Sequence, residues 1–234
     1  LDKGLQLLRD NTIQAMAVAE GNANAILASN SGFAKAAYRF ELSQELTDNL
    51  ILLPKTNSAA DILAADAYMT DLEEKLGLAN NTVGLMPLIE TAMGVENSFA
   101  IATATKRIKA LFLGAEDLTA DLQCKRTKES REIEYARTRL VVAARAAGVD
   151  VYDTPFTDVN DDEGIVTDAN LAKSLGFTGK ASISPRHVEV INSVFSPTLA
   201  EIDYAYEVME AIKLAKEQGK GAIALHGKMI DAPI

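Results

Sequence analysis

From about residue 48 onward, short apolar runs alternate with longer helical patterns, and this alternation constrains the fold more than any other feature of the 234-residue chain. The runs fall at 49–55 (NLILLPK), 84–90 (GLMPLIE), 110–117 (ALFLGAED), 149–156 (VDVYDTPF) and 180–186 (KASISPR). They are nearly continuous in hydrophobicity, as strands covered on both faces are. Helical patterns lie between them, near 58–76, 94–106, 130–147 and 164–175. In the third, Ile133, Ala136, Leu140 and Ala144 share a face and Gly148 is placed to end the helix. Repeated strand–helix units of this kind predict an α/β fold with a parallel sheet and right-handed crossovers.

The flanks differ. Residues 1–47 are Ala-rich and mostly helical by propensity, with weak strand patterns only at 24–27 and 37–40. A long helix is predicted near 197–218, capped by Ser196, started by Pro197 and striped by Ile202, Tyr206, Met209 and Ile212. The tail beyond it has no helical period. With no long linker or low-complexity block, the division expected is a barrel-like domain over 1–194, weakest at 1–47, and a C-terminal helix with a lid segment over 195–234.

Charge and cysteine content remove several function classes. A net charge of −10 excludes a general nucleic-acid surface, which needs clustered Lys and Arg. The single cysteine, Cys124, excludes an internal disulfide and a cysteine-rich zinc site, and a reducing cytoplasm fits it. No apolar run approaches membrane-spanning length.

In parallel α/β folds, chemistry gathers at the carboxyl ends of strands. Glu90 and Asp117 end two successive runs. Two carboxylates with room for water suit Mg²⁺, which takes few protein ligands, but carboxylates also favour the N-termini of following helices. Both readings are open at this level. Lys55, at the end of the first clear run, either contacts an anion or makes an ordinary rim ion pair. The stretch 158–164 (DVNDDEG) fails as a calcium loop, because Glu163 stands where glycine is needed; an acidic helix start is expected. The stretch 221–228 (GAIALHGK) fails the phosphate-loop spacing. His187 and His226 belong to no catalytic or ligand spacing, and Cys124 has no base partner near in sequence.

Taken together, "LPK" (53–55), "PLIETAMGVENSFAIA" (87–102), "ALFLGAEDLTADL" (110–122), "YARTRLVVAARAAGVDVYDTPFTDVNDDEG" (135–164), "LGFTGKASISPRHVEVIN" (175–192), "FSPT" (195–198) and "GKMIDAP" (227–233) resemble the citrate lyase beta subunit family of the HpcH/HpaI aldolase superfamily. Malyl-CoA and citramalyl-CoA lyases are its relatives. The resemblance implies a (β/α)₈ TIM-type barrel with Mg²⁺ at its C-terminal mouth, held by Glu90 and Asp117. It implies a substrate carboxylate at the backbone of Gly114, Ala115 and Glu116, and Asp231 as catalytic acid/base on a closing segment. The expected activity is Mg²⁺-dependent cleavage of a citryl thioester, on CoA or an acyl carrier protein, to oxaloacetate and an acetyl thioester. A malyl- or citramalyl-CoA lyase and a non-catalytic assembly subunit are the alternatives. A homo-oligomer, with other citrate lyase subunits as further partners, is expected. The family's opening motifs, including an arginine that holds substrate, are not recognisable in 1–47, where Arg39 is the candidate stand-in and the barrel is expected to be incomplete or diverged.

Overall fold

The computed structural model describes residues 14–17, 49–219 and 223–230. The chain divides into two compact units, Leu1–Phe195 and Ser196–Ile234.

The first unit is an α/β sheet. Its strands are β1 (Gln14–Ala17), β2 (Asn49–Leu53), β3 (Val83–Ile89), β4 (Ala110–Leu113), β5 (Asp150–Asp153) and β6 (Gly179–Lys180), and they pair in sequence order. β1 runs antiparallel to β2, and β2 through β6 are parallel. Between the parallel strands come α1 (Ala59–Leu76), α2 (Ala92–Glu96), α3 (Ser98–Ala102), α4 (Ala115–Asp121), α5 (Glu134–Ala147) and α6 (Asp162–Leu175), and α7 (Pro185–Phe195) follows β6.

The side-chain alternation of a strand divides the core in two. Leu85 and Ile89 of β3, Leu111 and Leu113 of β4 and Val151 of β5 pack with Ile62 of α1, Ile101 of α3, Leu118 of α4 and Leu140 of α5. The opposite parity, Leu52, Met86, Ala110 and Phe112, with Ala181 just after β6, forms a second cluster without any helical residue. All the helices in the larger cluster therefore cover one face of the sheet.

The helix boundaries follow capping chemistry. Ser58 and Asp61 close a capping box on α1, and Gly77, Gly148 and Gly176 end α1, α5 and α6 in the left-handed conformation. The expected acidic start of α6 is present: the Asp161 carboxylate accepts the Gly164 N–H at 2.8 Å. Ile133, Ala136, Leu140 and Ala144 are all buried, as their period predicts.

Four local expectations are corrected. Residues 14–17, in a stretch expected to be mostly helical, form strand β1, which pairs antiparallel with β2. Only Lys180 of the run at 180–186 lies in a strand, and a helix begins at Pro185, because Pro185 suits a first helical turn and the Ser184 side chain accepts the Arg186 N–H. The helix expected over 94–106 is two five-residue helices meeting at Asn97. Asp117 lies on the first turn of α4 rather than on its strand, which stops at Leu113. The strand patterns at 24–27 and 37–40 lie outside the described residues, as do Arg39 and Asp231.

The second unit holds α8 (Leu199–Glu217) and a hairpin of β7 (Ile223–Leu225) and β8 (Lys228–Ile230). Thr198, not Ser196, caps α8, because Thr198 and Glu201 form a reciprocal capping box. Its buried row is Val208, Ala211 and Ala215, whereas Tyr206 and Met209 of the predicted stripe are exposed. The tail expected to be irregular makes the hairpin. His226 and Gly227, with φ of +50° and +76°, supply the two positive-φ positions of a type I′ turn.

Candidate active site at the carboxyl end of the sheet

Three neighbouring strands each deliver one charged residue to the same place. Lys55 follows β2, Glu90 follows β3 and Asp117 follows β4. Parity puts Glu90 with Leu88, on the face opposite the helices. The Lys55 backbone N–H donates to Glu90 Oε1 at 2.8 Å, and its ammonium lies 3.7 Å from the same oxygen. That ammonium also donates to Asp117 Oδ2. One nitrogen thus touches both carboxylates.

Burial separates the three. The Glu90 side chain is 7% exposed, that of Asp117 52% and that of Lys55 58%. Burial pushes the Glu90 carboxyl above its ordinary range; the Lys55 N–H and ammonium oppose this, and the nearby Asp117 charge adds to it. The Lys55 ammonium is raised chiefly by its hydrogen bond to Asp117. A Cβ on Gly114 would stand 2.8 Å from the Glu90 Cβ and 3.1 Å from its Oε2. Glycine at 114 is therefore what lets Glu90 lie against the start of α4.

The backbone of that start is partly committed. Gly114 N–H donates to the Ile89 carbonyl at 2.9 Å, and Ala115 N–H to the Thr154 hydroxyl at 3.2 Å. Glu116, at the second helical position, is left with an amide that the helix itself does not use. Its carboxylate lies 3.6 Å from Arg126 Nε.

A divalent cation can be tested against this donor set. No group of three or more His, Cys, Asp or Glu side chains among the described residues is placed to hold a metal. Two carboxylates are nonetheless enough for Mg²⁺, which keeps several waters. The Lys55 ammonium already lies against both carboxylates as a cation, so the pair fits.

A second ion cluster lies on the helix-covered face, and the sequence reading missed it. Arg137 of α5 donates to both oxygens of Asp153 at 2.9 and 2.8 Å and to Asp168 of α6 at 2.8 Å. Lys180 of β6 reaches Asp153 at 2.7 Å, Asp168 at 2.5 Å and the Thr154 carbonyl at 2.6 Å. All four side chains are at most 5% exposed. An arginine beside Ala136 on the apolar face of α5 was the available signal. His187 is buried beside Phe156 with a ring separation of 6.5 Å, and within the second unit His226 pairs with Glu207 at 2.7 Å. Cys124 is exposed. No described helix is long and apolar enough to cross a membrane.

Comparison with known proteins gives a consistent set. A family model described as HpcH/HpaI aldolase/citrate lyase matches residues 11–185. The citrate lyase subunit beta of Leuconostoc mesenteroides subsp. cremoris is 41% identical over 186 residues, covering 80% of this chain and 62% of that protein. The mitochondrial citramalyl-CoA lyase of Rattus norvegicus is 31% identical over 214 residues, covering 88% and 63%. The crystal structure of CitE from Mycobacterium tuberculosis with magnesium, acetoacetate and coenzyme A superimposes with a TM-score of 0.61 at 27% identity, covering 80% of this chain and 64% of that one. The chain thus spans a little over three-fifths of the length of these relatives.

Proposed function

Because the chain belongs to the HpcH/HpaI aldolase/citrate lyase family, we propose that it is a Mg²⁺-dependent carbon–carbon lyase that cleaves a citryl thioester to oxaloacetate and an acetyl thioester. The observation that carries this reading is the convergence of Glu90 and Asp117 on one cation from adjacent strands. The similarity to a citrate lyase beta subunit supports the citryl substrate. Sequential strand order, with the helices on one face, supports a barrel of the (β/α)₈ type, incomplete or diverged at 1–47.

Glu90 and Asp117 would hold the ion, leaving its other positions to water and substrate. When bound, Mg²⁺ supplies Lewis-acid stabilisation of negative charge on the substrate's hydroxyl and carboxylate oxygens. The Glu116 amide, at the N-terminus of α4, would donate to a substrate carboxylate; Gly114 contributes space rather than a donor, and Ala115 would have to exchange Thr154 for substrate. In the retro-Claisen step the hydroxyl gives up its proton to water and becomes the ketone. The carbon–carbon bond breaks, and its electron pair moves onto the thioester as an enolate. Asp231 returns a proton to the enolate carbon, and Arg39 pairs with a substrate carboxylate. The carrier is CoA or an acyl carrier protein, and the working form is a homo-oligomer, alone or with other citrate lyase subunits, in the cytoplasm. The lid role of 195–234 belongs to the same reading.

The similarity to a citramalyl-CoA lyase reaches a larger share of this chain and favours a second reading, cleavage of citramalyl- or malyl-CoA at the same residues. Cleavage assayed across citryl-, malyl- and citramalyl-CoA, with Mg²⁺ and with chelator, separates the two. Activity on none of them would leave the non-catalytic assembly role. Asp231→Asn should keep Mg²⁺ affinity and lose about 10²–10⁴ in turnover, as removal of a general acid does. Full turnover in that variant would remove Asp231 from the mechanism.

A further inference from the structure

We infer that Lys55 is a built-in counter-cation of the Glu90–Asp117 pair: its ammonium holds the two carboxylates together before a divalent cation arrives and competes with that cation for them, while its backbone N–H keeps hold of Glu90 throughout. This rests on the metal-site reading above and deepens it.

Four observations converge. Lys55 engages Glu90 twice, through its N–H at 2.8 Å and its ammonium at 3.7 Å, and engages Asp117 through the same ammonium. Among the described residues no other cation reaches either carboxylate. The Lys55 backbone has φ +55°, a left-handed conformation uncommon for a side chain of this size, and such strain collects where geometry serves function. In that conformation the N–H meets a Glu90 oxygen, a contact that does not depend on where the ammonium is. Finally, the Lys55 side chain is 58% exposed while Glu90 is 7% exposed, so the ammonium can leave toward solvent without opening a cavity.

Charge gives the exchange its direction. Two carboxylates and one ammonium leave a formal charge of −1 at the site. A divalent cation in place of the ammonium brings it to zero and frees a lysine at the edge of the site. Without any cation, the two close carboxylates would repel each other.

The test is Mn²⁺ binding to the full chain, read by electron paramagnetic resonance, with no dependence on turnover. Removing a partly exposed competitor should tighten binding: Lys55→Met is expected to bind Mn²⁺ about fivefold more tightly than the unsubstituted chain, the factor corresponding to the upper range of exposed ion pairs. Lys55→Arg, which keeps a cation there, should stay near the original affinity. Lys55→Met with unchanged or weaker affinity overturns the counter-cation role. If the chain also loses Mn²⁺ on Asp117→Asn, the metal site itself stands and only the role of Lys55 falls. An unsubstituted chain that binds no Mn²⁺ overturns both.

Discussion

On the helix-covered face of the sheet, Arg137, Asp153, Asp168 and Lys180 form a closed set of two cations and two anions. On the opposite face, at the same carboxyl ends, Lys55, Glu90 and Asp117 form an open set with one cation for two anions. The closed set joins β5, β6, α5 and α6, and each of its carboxylates meets both cations. The open set joins the ends of β2, β3 and β4, and two of its three side chains are more than half exposed. Balanced charge and exclusion of water make a joint that should not change. Imbalance and access make a place where a charged ligand can be exchanged. Parity along the strands, which sends Asp153 one way and Glu90 the other, separates the two tasks.

The sharpest way to break this comparison is to unbalance the closed set. Arg137→Met leaves two buried carboxylates to Lys180 alone, and breaking a buried ionic network by removing one partner costs about 3–5 kcal/mol. Urea unfolding should show a loss of that size, and Mn²⁺ affinity of the folded fraction should be unchanged. An equal loss of metal affinity would mean that the two faces are not independent.

Another ion cluster, built on a buried arginine, extends the comparison through pH. Arg107, fully buried, is gripped by Glu73 at 2.7 and 3.0 Å and by Asp66 at 2.6 Å. The hydrogen bonds from Arg107 hold the Glu73 carboxyl down at about 2, against an ordinary 4.5. The stabilisation is complete above 4.5. As pH falls from about 4.5 toward 2, the unfolded chain takes up the proton first and stability is lost. The full loss is about 3 kcal/mol for a shift of this size. Glu73→Gln should flatten the stability curve in that window, and an unchanged slope would remove Glu73 from the acid sensitivity of the fold.

The smallest expected effect tests the fit of the open set. Gly114→Ala brings a methyl carbon against the Glu90 side chain. Overpacking of this kind costs about 1–3 kcal/mol. It should also displace Glu90 and weaken Mn²⁺ binding, which a purely structural glycine would not do. Calorimetric titration of the variant measures the second effect directly.

Much of this was legible in the chain. Four of the five apolar runs contain strands of four residues or more, because their hydrophobicity is local and continuous. Glu90 and Asp117 were visible as acids at the ends of such runs. Of the two open readings of Asp117, the structure bears on the helix start: Asp117 occupies the first turn of α4, and its carboxylate meets the ammonium that touches Glu90. What local pattern did not reveal was long-range pairing. Asp153 and Lys180 are neighbours only because β5 and β6 pair, and Arg137 joins them only because α5 packs on that face. The run 180–186 misled because its small and hydroxylated residues fit a strand, while Pro185 and the Ser184 hydroxyl start a helix. At Lys55 the local pattern leaves an anion contact and a rim ion pair both open; the structure shows ion pairs with Glu90 and Asp117, and nothing local signals a lysine with positive φ.

Thr154 touches the closed cluster and the helix that carries Asp117. Its carbonyl accepts from Lys180 in the closed set, and its hydroxyl accepts from the Ala115 N–H at the head of the helix that carries Asp117. A single backbone resonance, the Ala115 amide proton, therefore reads the two faces of the sheet at once. Loosening the quartet moves its acceptor, and loading the carboxylate pair moves its helix. In a two-dimensional amide spectrum either event would be expected to displace that one peak.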